Sequence, residues 1–124
     1  MITIDNDDEG VSVFCETQYN LNDRNGMLLS QQINAVNFRL RQSYKGYKAD
    51  WHVAGDPTLI IILAGVLRIT LRNDDCRDFS VGAMFIAKDK LLAGQEFDTA
   101  RHGHRAEVVG HASLNAIHIK LGSL

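Results

Sequence analysis

The sequence has few of the residues that build redox centres, disulfide frameworks or structural zinc sites. Its two cysteines, Cys15 and Cys76, are far apart and form no CxxC pair, so neither a thioredoxin-type nor a zinc-ribbon site is supported. The first residues turn acidic without the basic and apolar regions of a signal peptide. We therefore expect a cytoplasmic protein with two free thiols rather than a secreted protein with a disulfide.

A strong excess of one charge and long apolar runs are also missing. The formal net charge is -2, which gives no general attraction to nucleic acid or to anionic lipid. The longest uncharged apolar stretch, residues 59–67, is too short to cross a bilayer as a helix. In residues 39–48 basic side chains are interspersed with two tyrosines, a pattern that favours a solvated strand and turn over a nucleic-acid contact. We expect neither nucleic acid nor a membrane as a partner.

The sequence does contain a series of short apolar or alternating segments separated by turn residues. Strands of this length and regular spacing are typical of an all-β sandwich or barrel with little helix. Residues 91–94 fit either a short helical turn or a loop. The chain of 124 residues predicts a single domain, with residues 31–121 forming a barrel and residues 1–30 packing on it or on a partner subunit. The predicted strands are 11–15, 35–41, 58–63, 66–71, 76–81, 83–87, 105–109 and 116–121.

Residues 59–63 are apolar at every position rather than at alternate positions. Only one face of a barrel strand points inward, so the second apolar face of this strand needs a cover. Trp51 has the opposite side-chain direction to His52, and we expect it to pack outside the barrel. These two features predict a homodimer with a self-complementary contact.

Residues 46 to about 110 resemble the cupins, a family of small jelly-roll barrels. The first cupin motif is Gly, five residues, His-x-His, three or four residues, Glu, six residues, Gly. Gly46, His52 and Gly65 match this motif, whereas Ala54 and Thr58 occupy the positions of its second histidine and its glutamate. The resemblance implies a cupin-type jelly-roll barrel for this region.

The second cupin motif is matched more loosely. It is Gly, five residues, Pro-x-Gly, two residues, His, three residues, Asn. Gly82 and His104 match its glycine and histidine, Lys88 stands at the proline, and the asparagine has no counterpart. The stretches DWH and DTARHGHRAEVVG also resemble small single-domain bacterial cupins. Because cupins host unrelated chemistries, the resemblance implies a fold and no particular activity.

In metal-binding cupins the motif histidines and glutamate hold Fe, Mn, Ni or Zn, and here the resemblance leaves His52 and His104 as possible ligands. His102 is the first candidate for a third ligand, since it has the same side-chain direction as His104 if the segment is extended. Asp50 or Asp56 is a further candidate. We expect no essential metal, with a divalent metal held by a rebuilt ligand set as the alternative.

Side-chain direction also predicts a ligand pocket inside the barrel, with two imidazoles at its mouth and an apolar floor. Such a pocket suits a small polar or anionic ligand with an apolar body, and binding is expected to tighten between about pH 7 and 6 as histidines gain protons. The pocket residues are His52, Thr58, Ile60, Ile62, His104 and Val108.

The sequence therefore favours a small-molecule-binding protein. One alternative is an enzyme, either a metal-dependent oxygenase or isomerase or a metal-free acid–base catalyst using His52 and His104. Another is an interaction protein with a solid core. No nucleophile-elbow, phosphate-loop or dinucleotide glycine pattern is present, and Cys76 has no activating neighbour. His118 alternates with apolar residues and is expected to be exposed or at an interface, and His111 is expected in a surface turn.

Overall fold

The computed structural model describes residues 1–124 as eleven β-strands, and the all-β prediction is confirmed. It contains no helix, and hence none that could cross a membrane. Residues 91–94, for which a helical turn or a loop was expected, lie in a loop. The strands are β1 (Ile2–Asn6), β2 (Ser12–Glu16), β3 (Asn22–Arg24), β4 (Met27–Leu29), β5 (Ala35–Ser43), β6 (Thr58–Ala64), β7 (Val66–Thr70), β8 (Cys76–Phe79), β9 (Met84–Ala87), β10 (Arg105–Val109) and β11 (Leu114–Leu121).

These strands form two facing sheets and one small hairpin. The larger sheet has six strands in the order β2-β1-β9-β6-β11-β5, and the smaller sheet has three in the order β10-β7-β8. Residues 47–52 run antiparallel beside β10 and extend the smaller sheet by a fourth, irregular strand. β3 and β4 pair only with each other. Because β5 makes no ladder with residues 47–52, the two sheets face each other without closing into a continuous barrel.

From β5 onward the chain is paired like one long hairpin folded over on itself. The first strand, β5, pairs with the last, β11, and the 47–52 segment pairs with β10. β6 then pairs with β9, and β7 pairs with β8. Further pairing of β6 with β11 and of β7 with β10 joins the nested pairs side by side. The first and third pairs therefore lie in the larger sheet, and the second and fourth pairs lie in the smaller one.

The N-terminal residues are placed differently from the expectation. β1 and β2 are strands of the larger sheet rather than a segment packed on it, since β1 pairs with β2 and, in parallel, with β9. Ile4 is fully buried, and Ile2 and Phe14 pack against the core on the same face. Because acidic residues follow Ile4 closely, the alternation of Ile2 and Ile4 is too short to be recognised as a strand in the sequence.

The hydrophobic core lies between the two sheets. β6 directs Ile60 and Ile62 into it, and β7 directs Leu67 and Ile69 into it from the opposite side. Each strand contributes alternate residues, because successive side chains of a strand point to opposite faces. The core residues are Ile4, Ile60, Ile62, Leu67, Ile69, Leu71, Phe79, Phe85, Ala87, Ala106, Val108, Leu114 and Ala116.

The outer face of the larger sheet is apolar as well. Strand register places its side chains in two rows that cross β9, β6, β11 and β5 in that order. Exposure is highest at the edge strand, where Phe38 is 70% and Leu40 75% exposed. The apolar run of residues 59–63 thus contributes to both faces of this sheet. The two rows, named the outer rows below, are Met84–Ile61–Ile117–Leu40 and Ile86–Leu59–Ile119–Phe38.

Residues 20–34, named the arm below, connect β2 to β5 and include the β3–β4 hairpin. Every residue from 20 to 40 is exposed. A cavity of about 890 Å³ is lined by residues at both ends of the arm, by Thr3 of β1 and by Lys88, which follows β9. The arm therefore buries little apolar surface against its own chain.

Candidate functional site

His52 and His104 are direct cross-strand partners at one end of the smaller sheet. The backbone N–H of each residue donates to the carbonyl oxygen of the other, at 3.0 and 2.8 Å. Their side chains lie on the same face, with ring centroids 4.5 Å apart and ring planes inclined at 56°. The structure therefore brings together the two histidines that the cupin resemblance singled out.

Gly103 allows this close approach. It has a φ of 87°, in the left-handed region that favours glycine. A Cβ atom at this position would lie 2.6 Å from the carbonyl oxygen of His52, which is backbone and has little freedom to move. The contact between the two histidine-bearing segments thus depends on the absence of a side chain at residue 103.

A buried carboxylate holds the ring of His104. Nδ1 of His104 lies 2.8 Å from Oδ2 of Asp89, which is fully buried. The same carboxylate accepts a hydrogen bond from Oγ of Ser12 at 2.7 Å and one from the backbone N–H of Ala54 at 3.1 Å. With three donors directed at it, Asp89 is satisfied as an anion, and it fixes the orientation of the imidazole.

Both histidines have the same tautomer when neutral. Since the carboxylate of Asp89 accepts, Nδ1 of His104 carries the hydrogen, and Nδ1 of His52 likewise donates to the carbonyl oxygen of Asp50 at 2.7 Å. Nε2 of His104 has no partner within the chain, although every fully buried side-chain nitrogen and oxygen has one. It therefore contacts solvent, as does Nε2 of the exposed His52. The site presents two adjacent, oriented Nε2 lone pairs.

His102 does not join this pair. Its prediction as a third ligand assumed an extended segment, but Gly103 reverses the chain and the backbone N–H of His102 bonds back to the carbonyl of Asp98. Nδ1 of His102 accepts the backbone N–H of Asp98 at 2.9 Å, and the ring is directed toward Phe97. No three side chains of histidine, cysteine, aspartate or glutamate converge so as to hold a metal ion. The residues present thus do not provide the three-ligand set considered for a metal.

The predicted apolar floor is part of the packed core. Ile60, Ile62 and Val108 are all buried in the core cluster, and the hydroxyl of Thr58 donates to the carbonyl of Asp56 at 3.1 Å. These residues line neither the 890 Å³ cavity beneath the arm nor a second cavity of about 510 Å³. Where an apolar pocket floor was expected, these side chains pack against one another in the core between the two sheets.

A second polar cluster lies on the inner face of β11 and β5. The strand register places His118 between Ile60 of β6 and Arg39 of β5. Arg41 donates to Nε2 of His118 at 3.3 Å, and its guanidinium lies over the Tyr47 ring at 5.3 Å from the centroid. No carboxylate forms an ion pair with Arg41. This cluster therefore carries positive charge without a counter-ion.

The electrostatics of the cluster keep His118 neutral. Burial, followed by repulsion from Arg41, Arg39 and Lys120, lowers the pKa of His118 to about 4. Burial also lowers the pKa of Arg41. The expectation that His118 is exposed is wrong: it is half-buried, because the apolar residues that alternate with it face outward and not into the core.

Trp51 lies outside the space between the sheets, as predicted. The guanidinium of Arg72 stacks on its ring at 3.7 Å, and that of Arg105 lies 5.4 Å from the ring centroid. Arg72 also donates to the carbonyl oxygen of His102. Trp51 thus packs against two arginines on the outer side of residues 47–52 and does not form a platform for a ligand.

Both cysteines and His111 lie at the surface of the protein. Cys15 and Cys76 are both free and exposed. Burial and the nearby Asp5 carboxylate raise the pKa of the Cys15 thiol, which disfavours the reactive thiolate. His111 is exposed in the turn before β11.

Sequence reasoning missed the residues that orient the site. Asp89 and Ser12 lie far from His104 in the sequence and belong to no motif that we recognised. The only local signal for Asp89 is its position two residues beyond the buried Ala87, which gives it the same inward direction. Arg41 was assigned to a solvated strand face, and only the strand register shows that it meets His118.

The overall fold is similar to that of two solved structures. One is the conserved protein SPY1581 of unknown function from Streptococcus pyogenes, with a TM-score of 0.52 and 14% identity over 77% of this chain and 71% of that one. The other is protein NMB1881 from Neisseria meningitidis, with a TM-score of 0.50 and 14% identity over 74% of this chain and 84% of that one. No family model matches the sequence, and no curated protein matches it. At this level of identity the comparisons show a common all-β fold.

Proposed function

We propose that this chain is a small-molecule-binding protein of the cupin type, in which His52 and His104 contact the ligand without an essential metal. The nested pairing of eight strands in two sheets supports the family assignment, because a jelly roll is a long hairpin folded in this way. Two of the glycines that match the cupin motifs, Gly65 and Gly82, lie at left-handed positions in the turns before β7 and β9. The motif spacing and the topology thus favour the same family.

The pair of free Nε2 atoms is the observation that carries the proposed function. Both Nδ1 atoms are already bonded, to Asp89 and to the carbonyl of Asp50, so each ring has one defined position left for a ligand. Neutral rings accept hydrogen bonds from a hydroxyl or an acid, and protonated rings donate to an anion.

The filled core limits the size of the ligand. Since Ile60 and Val108 are buried, no large apolar body fits between the sheets beside the histidines. We therefore propose a small organic acid that binds at the exposed edge of the pair through its carboxylate. Charge-assisted hydrogen bonds to a carboxylate are stronger than neutral ones, so the pair suits an anionic group better than a neutral one.

Benzoate is a suitable probe, since it combines a carboxylate with a compact apolar body. Titration into protein with ¹⁵N-labelled histidine is expected to shift the Nε2 resonances of His52 and His104. His52→Ala and His104→Ala should each abolish saturable binding, whereas His111→Ala, a control in an exposed turn, should not. Affinity that survives both site variants would rule out the histidine pair as the binding site.

The Asp89–His104 hydrogen bond specifically favours a second candidate, metal-free acid–base catalysis. A buried carboxylate that fixes the tautomer of an imidazole leaves its Nε2 as an oriented base, which is the arrangement used in general-base catalysis. p-Nitrophenyl acetate is a convenient probe, because imidazole groups hydrolyse activated esters. A hydrolysis rate above that of free imidazole, lost in His104→Gln and reduced in Asp89→Asn, would favour the enzyme over the binding protein.

A further inference from the structure

We infer that the inner face of β5 and β11 binds a doubly charged oxyanion, such as inorganic phosphate or a phosphate monoester, through Arg41, Arg39 and Lys120. Arg39 is the direct cross-strand partner of His118, and the other two cations lie two residues away, Arg41 on β5 and Lys120 on β11. The outer rows occupy the opposite face of the same strands, so these side chains project toward the space between the sheets. The register thus gathers three cations in one place, and none of them belongs to the histidine pair.

The chain provides no negative charge for these three cations. None of them forms an ion pair, and the charges that act on the His118 imidazole between them are all positive. The β6 residues opposite Lys120 and His118 are Thr58 and Ile60, which carry no charge. Arg41 and Lys120 are partly buried, and the burial of a charge is costly unless an opposite charge accompanies it. An anion from solution supplies that charge.

Arg41 is held in place before any ligand arrives. Its Nε donates to Oγ of Ser43 at 3.1 Å, and its Nη1 lies 3.3 Å from Nε2 of His118. Its guanidinium also lies over the ring of Tyr47, 5.3 Å from the centroid. Two of its five N–H donors are thus used, and three remain for a ligand. Because the guanidinium is already oriented, binding an anion costs little further side-chain freedom.

The site opens at the gap between the two sheets. Arg41 belongs to the larger sheet and Tyr47 to the irregular strand that extends the smaller one, so their contact spans the gap at which the sheets do not close. Arg39 lies on the edge strand and is exposed, and Tyr47 is 43% exposed. An anion can therefore reach Arg41 from solvent without any rearrangement of the core.

The charge and the donors of the site favour a phosphate group over a carboxylate. A phosphate monoester carries a charge of about −1.5 to −2 at pH 7 and three strong acceptor oxygens, whereas a carboxylate carries one charge and two oxygens. Three cations on two strands match the first pattern, since each can approach a different oxygen. Arginine suits phosphate because its N–H fork donates to two oxygens at once. The ligand class thus differs from the organic acid proposed for the histidine pair.

Titration with sodium sulfate, followed by NMR, tests the site, because sulfate keeps two charges and does not itself titrate over the pH range used. The side-chain Nε–H resonance of Arg41 and the ring resonances of His118 should shift along one saturable curve at constant ionic strength. Sodium chloride at the same ionic strength should not produce this curve, since screening involves no site. The anion also offsets the repulsion around His118, so saturation should raise the pKa of that imidazole from about 4.

Two arginine variants locate the anion. Arg41→Gln should weaken sulfate binding roughly tenfold to a hundredfold, through the loss of charged hydrogen bonds, and Arg39→Gln, at an exposed position, should weaken it less. Arg77→Gln is the matched control, since it makes the same charge change and Arg77 likewise lies over an aromatic ring, 5.0 Å from the centroid of Phe14. Circular dichroism shows whether each variant keeps its strands. Because Arg39 is exposed, its variant tests the site even if Arg41→Gln does not fold.

Inorganic phosphate and phenyl phosphate, compared at about pH 7.5, distinguish the two sources of the anion. Tighter binding of phenyl phosphate would support a phosphate ester as the ligand, and equal or weaker binding would support inorganic phosphate. The absence of a saturable shift with sulfate and with both phosphates would overturn the proposal. Sulfate affinity that is unchanged in both arginine variants would overturn it as well, because the anion would then bind elsewhere, for example at the histidine pair.

Discussion

His118 makes the stability of this fold depend on pH in a direction that follows from its surroundings. Its pKa falls from the ordinary 6.5 to about 4 in the folded chain, through burial and the neighbouring cations Arg41, Arg39 and Lys120. Between these two values the unfolded chain binds a proton that the folded chain does not. The stability contribution is therefore present in full above about pH 6.5 and is lost as the pH falls toward 4.

The partial exposure of His118 to solvent limits how much stability its protonation removes. A pKa difference of this size corresponds to about 3 kcal/mol if the whole shift is expressed as stability. Because His118 is only half-buried, water screens part of the repulsion, and we expect a loss of about 1–2 kcal/mol in the free energy of unfolding. Protonation also removes the acceptor at Nε2, so the hydrogen bond from Arg41 breaks over the same range.

Urea unfolding at a series of pH values, followed by circular dichroism, measures this contribution. His118→Gln keeps a polar acceptor near Arg41 and removes the titrating ring. Between about pH 7.5 and 4.5 the wild-type protein should lose about 1–2 kcal/mol more than this variant. His111→Gln, a control at an exposed turn, should follow the wild-type curve. Parallel curves for the wild type and His118→Gln would refute the electrostatic argument.

Four further predictions concern the surroundings of the histidine pair and the need for a metal. Asp89→Asn should lower the free energy of unfolding by about 2–3 kcal/mol in a urea titration, because a buried charged acceptor of three hydrogen bonds is replaced by a group that can donate. Ser12→Ala, which removes one of those bonds, should cost about 1 kcal/mol. Gly103→Ala should lower the free energy of unfolding by at least about 1–2 kcal/mol, because residue 103 has a left-handed backbone conformation. The clash with His52 should also shift the imidazole resonances of the histidine pair in NMR spectra. Treatment with a strong chelator should leave the melting temperature nearly unchanged, since the core stabilises the fold; a large drop restored by Fe, Mn, Ni or Zn would contradict this.

The sequence predicted most of the strands because apolar residues recur in them, at alternate positions in β5 and at consecutive positions in β6. It missed β1, where two isoleucines are followed directly by acidic residues, and it missed the hairpin of the arm. The two strands of that hairpin have three residues each, which is too short for an alternating pattern to be recognised. Apolar patterning over five or more residues is thus the signal that the prediction used, and shorter patterns escaped it.

The pairing of His52 with His104 followed from motif spacing, but their surroundings did not. Asp89 reaches His104 only because β9 and β10 lie in facing sheets, which no local pattern encodes. His102 was misplaced because one left-handed residue, Gly103, cancels the alternation that the argument used. His118 was misplaced because the larger sheet is apolar on both faces, so the apolar side of β11 was not the core side.

The nested pairing also determines when this protein can fold during its synthesis. β5 is hydrogen-bonded only to β11, so its place in the sheet does not exist until residues 114–121 have been synthesised. Until then an apolar, unpaired strand is available to neighbouring nascent chains, a known hazard of slow, non-local pairing. A ribosome that stops before residue 114 releases a product without β11 and with β5 unattached. Premature termination between β10 and β11 thus yields an aggregation-prone fragment rather than a shortened domain.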